Sequence, residues 1–200
     1  MGTLDSRLVR LSLFGSGAGS TVAAILDAVA DGRIAAEAAL VVSNNSGAGV
    51  LAIAAAHGVR IAHLSGATHP DPAELDAAIL SALVEAETDL VVLAGYMKLL
   101  GPQVLQHYAG RVVNVHPALL PAYGGQGMYG DRVHAAVLAD GATTTGASVH
   151  VVTEEYDEGP VLAQVEVPVL PGDDVESLRT RVQVAEKALL VEWLTGWSRT

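Results

Sequence analysis

Short blocks of consecutive aliphatic residues, each closed by glycine, proline or small polar residues, alternate along this chain with stretches whose apolar positions recur every three or four residues. Residues 8–14 form the first block and predict a buried strand running into the glycine loop GSGAGS; residues 21–30 then repeat Val, Ala, Ile and Leu at helical spacing. The alternation continues with a strand at 39–42, a helix at 49–57, a short strand at 59–62 and a helix at 72–86 that opens on Asp, Pro and Glu signals. DLVVLAG at 89–95 is the continuous apolar run of a central parallel strand covered on both faces, and residues 101–108 cross from it to RVVNVH. Beyond lie a helix at 133–139, an alternating strand in GASVHVV, a turn in EEYDEGP, a strand in VLAQVEVPV that pairs back as a hairpin, and a long helix at 174–193. The pattern predicts an α/β fold: a three-layer, open, mostly parallel, Rossmann-like sheet with right-handed crossovers, an antiparallel C-terminal hairpin and a long terminal helix. One domain over residues 1–200 is expected, with no repeat or linker. In such sheets ligands gather beyond the C-terminal strand ends. Each unusual loop follows a strand, so all are expected to meet at one edge.

Composition narrows what can bind there. Half of the residues are apolar and 4% are aromatic, which gives an aliphatic core. The 11 basic and 22 acidic side chains leave a net charge of −11 with no Lys/Arg cluster, which repels a phosphate backbone and argues against nucleic acid. No window approaches the ~18 uncharged apolar residues of a spanning helix, and the first residues lack a signal-peptide pattern, so a cytoplasmic protein off the membrane is expected. The absence of cysteine excludes disulfides, thiol nucleophiles and thiolate metal sites. His57, His63 and His69 match no metal-ligand spacing, and no metal is expected. The expected partners are small molecules, with monomer and homodimer both open.

The glycine loop spans Gly15 to Thr21 between the first strand and the first helix, where free N–H groups and the helix dipole attract an anion. Gly17 and Gly19 permit close approach, and Ser20 or Thr21 adds a hydroxyl. A dinucleotide fingerprint is broken at Ser20, Val42-Ser43-Asn44 lacks the acid for a ribose, and the Lys-Ser/Thr pair of a P-loop is missing. A phosphomonoester fits best, while a tight turn with nothing bound fits the same residues.

Asn114 and His116 lie two apart at the end of a strand, so they share one face while Val113 and Val115 pack on the other, and Pro117 ends the ladder. An amide beside a protonated imidazole suits a developing oxyanion, as in acyl or formyl transfer, provided a carboxylate keeps the imidazole charged. Of Glu154, Glu155, Asp157 and Glu158 in the acidic turn, Asp157 is favoured because Gly159 gives its backbone room. The spacing also admits a core histidine bonded to a carbonyl, with Asp157 a mere turn former. His150, inside an alternating strand, reads as structural.

VVNVHPALLP, preceded by DLVVLAGYMKLL and followed by GASVHVVTEEYDEGPVLAQVEVPV, closely resembles the folate-dependent phosphoribosylglycinamide formyltransferases of purine synthesis, over residues 8–194. The resemblance implies that an amine attacks the formyl carbon of the co-substrate 10-formyltetrahydrofolate without a metal. It makes His116 general acid and oxyanion donor, has Asn114 hold the same oxygen, and has Asp157 raise the His116 pKa and help move the proton. It places Met97, Lys98, Leu99 and Leu100 at the pterin, joined by Asn114 and by Val152, Thr153, Glu154, Glu155, Tyr156 and Asp157. Gly19, Ser20 and Thr21 would cradle the substrate phosphate with Gln183 nearby, and Glu186 would take the ribose hydroxyls. Methionyl-tRNA formyltransferase shares part of the pattern but carries a further tRNA domain, for which this acidic chain is expected to be too short. The chain departs from the family at Ala18 and Thr21, where Asn is usual, and at Asn45, where a basic residue is usual. It also lacks the folate-contacting Arg before the 72–86 helix, and it lengthens the link after LLP, whose residues 123–131 suit a lid. Two alternatives follow: transfer to a different small amine, or a ligand-binding relative that has lost the chemistry.

Overall fold

The computed structural model describes residues 7–197, so the expected span of 1–200 extends beyond it at both ends. Among the described residues seven strands and six helices alternate as β1 (Val9–Phe14), α1 (Ser20–Ala30), β2 (Ala36–Ser43), α2 (Gly49–Ala56), β3 (Ile61–His63), α3 (Pro72–Glu85), β4 (Leu90–Leu93), α4 (Pro102–His107), β5 (Val112–His116), α5 (Asp131–Ala139), β6 (Thr144–Val151), β7 (Val161–Pro168) and α6 (Val175–Gly196). They build one seven-stranded sheet in the order β3-β2-β1-β4-β5-β6-β7. The strands up to β5 are parallel, and β6 and β7 are antiparallel to their neighbours.

β4 is buried at every position and lies at the centre of the sheet, as its unbroken apolar run requires. The period of two sends Leu90 and Val92 to one face, against α1, α2 and α6, and Val91 and Leu93 to the other, against α3 and α4. The same alternation in β5 gives Val113 and Val115 to the first of these cores and leaves Asn114 and His116 facing the other way. At the start of α6 the Asp174 carboxylate accepts from the Ser177 N–H while the Ser177 hydroxyl accepts from the Asp174 N–H, a reciprocal cap that fixes where the helix begins.

Two expectations change. β2 begins at Ala36 rather than 39, because Ala36, Glu37 and Ala38 pair with β1, ahead of the continuous apolar run that marks the strand. The acidic turn does not leave the sheet at the C-terminal edge with the other loops. β6 runs antiparallel to β5, so the turn departs beside Val112, whose carbonyl accepts from the Val152 N–H at 2.9 Å. It must then fold back over the sheet face to reach the strand tip.

Candidate active site

β5 carries the site at its end. His116 is 3% exposed, its Nε2 donates to the Tyr123 carbonyl at 2.8 Å, and its Nδ1 lies 3.4 Å from Asp157 Oδ2. Asp157 is held from two further sides: Gly125 N–H donates to Oδ2 at 3.0 Å, and His150 Nε2 lies 3.4 Å from Oδ1. Asn114 and His150 are register partners across β5 and β6, and Asn114 Nδ2 is 3.1 Å from His150 Nε2. A carbonyl only accepts, so the Val151 carbonyl 2.9 Å from His150 Nδ1 places a proton on that nitrogen. Its other nitrogen, Nε2, faces both the Asn114 amide and the Asp157 carboxylate, so one ring spans β5 and the acidic turn. His150 therefore belongs to the site rather than only to the strand, correcting the sequence reading: its role depends on pairing with a residue 36 positions away.

The backbone supports this arrangement. Asp157 has φ 56°, and a side chain on Gly159 would meet the Val151 carbonyl, so the turn can pass β6 only with glycine there. Burial pushes the His116 pKa down, opposed by Asp157 and by the Tyr123 carbonyl, and the net direction is downward. Asp157 thus acts as expected but does not prevail over desolvation. For Asp157 itself burial raises the pKa, and the His150 hydrogen bond, His116 and the Gly125 N–H together bring it below its ordinary value. The resting pair is a carboxylate beside an imidazole that gains its second proton only at reduced pH or as charge develops nearby.

A cavity of about 280 Å³ opens over these groups. Asn114, His116, His150 and Asp157 line it, with Met97, Lys98 and Leu99 from the loop after β4 and Val152, Thr153, Glu155 and Tyr156 from the acidic turn. Gln183 and Glu186 of α6 form another wall, where desolvation outweighs Lys187 and raises the Glu186 carboxyl to about 7. Leu100 and Glu154 do not line it. Leu100 is buried against the α3 and α4 core, and Glu154 is exposed.

Gly17, Gly19, Ser20 and Thr21 also lie outside this cavity, at the neighbouring end of β1. Gly19 has φ 81°, and a Cβ there would come within 2.7 Å of Val50, so close packing of α1 on α2 already requires glycine. The loop is joined to the cavity by Ser16, which periodicity and the glycine pattern passed over. Its N–H donates to the Gly95 carbonyl at 3.0 Å, and its hydroxyl accepts from Met97 N–H at 2.8 Å and donates to Asn44 Oδ1 at 2.5 Å.

Residues 127–130, part of the link whose sequence suits a lid, face the cavity, and so do two contributors that were not anticipated, His134 of α5 and Arg179 of α6. Arg179 lies at i, i+4 and i+7 with Gln183 and Glu186, a helical stripe that was legible in the sequence. Its Nη1 reaches both Asp131 oxygens, at 3.0 and 3.1 Å, and ties the end of the link to α6. Among the described residues no group of three or more His, Cys, Asp or Glu is arranged to hold a metal, and no helix is long and apolar enough to cross a membrane.

The sequence profile of the family described as formyl transferase matches residues 9–194. The phosphoribosylglycinamide formyltransferase of Mycobacterium tuberculosis is 43% identical over 182 residues, 91% of this chain and 81% of that protein. The chloroplastic phosphoribosylglycinamide formyltransferase of Arabidopsis thaliana is 38% identical over 189 residues, 94% of this chain but 65% of the plant protein. Among solved structures, glycinamide ribonucleotide transformylase 1 from Symbiobacterium toebii superimposes with a TM-score of 0.89 at 36% identity, covering 97% of this chain and 90% of that one.

Proposed function

The chain belongs to the formyl transferase family, and from that premise we propose that it transfers the formyl group of 10-formyltetrahydrofolate to the primary amine of phosphoribosylglycinamide, in de novo purine synthesis in the cytoplasm. One formyltransferase domain over residues 1–200 carries the reaction. The observation that supports this reading is the meeting of Asn114, His116 and Asp157 at one wall of one cavity, formed within a single chain whether it acts as monomer or homodimer.

The amine nitrogen attacks the formyl carbon, and the carbonyl oxygen becomes an oxyanion. Asn114 offers it an amide hydrogen. His116 has Nε2–H held by the Tyr123 carbonyl, so the proton at issue is the one Nδ1 gains beside Asp157. A growing negative charge draws the imidazole to its charged form, which Asp157 stabilises. The new C–N bond is kept and the bond from carbon to N10 breaks. The proton lost by the amine passes through Asp157 and His116 to N10. None of these steps requires a metal. Gly17, Gly19, Ser20 and Thr21 take the phosphate by backbone N–H and hydroxyl groups, with Gln183 beside it and Glu186 on the ribose.

Pure protein mixed with 10-formyltetrahydrofolate and phosphoribosylglycinamide, followed by folate absorbance, tests the reading. Turnover is expected. No turnover with that amine but turnover with another would overturn the acceptor assignment, and no turnover with any amine would leave a binding protein.

A further inference from the structure

The proposed chemistry uses two of the three imidazoles that line the cavity. His134 is the third: it is 2% exposed, and its Nδ1 is buried with no hydrogen-bond partner among the described residues. Its α5 neighbours Val133 and Val137 are fully buried, so an aliphatic side chain would suit this packing position and leave no nitrogen unmet. Nδ1 is closed off from solvent, so in this cavity wall Nε2 is the ring nitrogen that can meet something that enters.

The charged and titratable groups that act on the ring are Asp131, Arg179 and His116. Asp131 and Arg179 are spent on each other, and burial keeps the imidazole neutral. A neutral imidazole carries one donor and one acceptor nitrogen, which complements a hydroxyl; a phosphate or carboxylate would call for a cation. Position decides which substrate supplies the hydroxyl. α5 packs on α6, whose Arg179, Gln183 and Glu186 form one wall, whereas Met97, Lys98 and Leu99 lie on the folate side.

We propose that His134 is a specificity-determining residue that hydrogen-bonds a hydroxyl of the acceptor's sugar and so positions the amine at His116. The assignment rests on the acceptor proposed above. Its test compares kcat, acceptor KM, donor KM and Tm for the parent, His134→Phe, which keeps ring volume without nitrogens, and His134→Asn, which restores an amide donor and acceptor. Phe should raise the acceptor KM about tenfold, the loss of one hydrogen bond, with donor KM and Tm unchanged, and Asn should recover part of it. An unchanged acceptor KM in the Phe variant overturns the proposal. So does a rise in both KM values together with a lower Tm, or failure of both variants to fold, either of which would make the ring a packing element. A parent protein inactive with phosphoribosylglycinamide would instead refute the function reading, which the same assay reports separately.

Discussion

At the scale of single residues, the site rests on one rule that the sequence displays and one pairing that it hides. Period-two geometry puts Asn114 and His116 on one face, and the structure keeps them there. His150 was invisible as a partner because its neighbour is set by the antiparallel register of β5 and β6, which alternation within β6 cannot reveal. Asp157 was legible as the carboxylate for His116, but its route was not: it reaches His116 only because its turn folds back. Replacing His116 by Ala or Asp157 by Asn should lower the chemical rate by about 10² or more in single-turnover assays, with folding intact by circular dichroism. Near-normal rates in either variant would remove that residue from the mechanism.

At the scale of elements, the strands and long helices were legible because each buries enough side chains to impose a period. α4 was not. It has only six residues and no side-chain cap of its own. Its start is instead held from α3, where the buried Asp76 carboxylate accepts from Gln103 N–H at 2.8 Å and Val104 N–H at 3.3 Å. A cap donated from 27 residues away lies outside any local signal. Asp76→Ala should therefore cost roughly 1 kcal/mol, about 2–4 °C in Tm for a chain of this size. Because α4 follows directly on the Met97 to Leu100 loop, the donor KM should rise more than the acceptor KM. A melting curve with no shift would show that the cap is dispensable.

Across the whole molecule, the three-layer architecture follows from aliphatic runs covered on both faces, while the reversal at β6 that completes the site is a topological fact beyond composition. Placing α6 against the cavity also half-buries a carboxyl. Glu186 is raised to about 7 from an ordinary value near 4.5, so the folded state binds a proton that the unfolded chain releases. Its contribution to stability is full below about 4.5 and is lost as the pH rises through about 7. Glu186→Gln should flatten that slope and raise Tm at pH 8 by a few degrees, on the order of what 1 kcal/mol gives here, while weakening acceptor binding. Identical Tm-against-pH curves for the two proteins would contradict it. The Ser16 hydroxyl, fastened both to Asn44 and to Met97 N–H, has a consequence of a different kind. It joins the loop proposed to hold the acceptor's phosphate to the loop proposed to hold the folate, so occupancy of one should become a thermodynamic input to the other. Each substrate should then change the affinity of its companion by the same factor in titrations run in either order, and Ser16→Ala should draw that factor toward one.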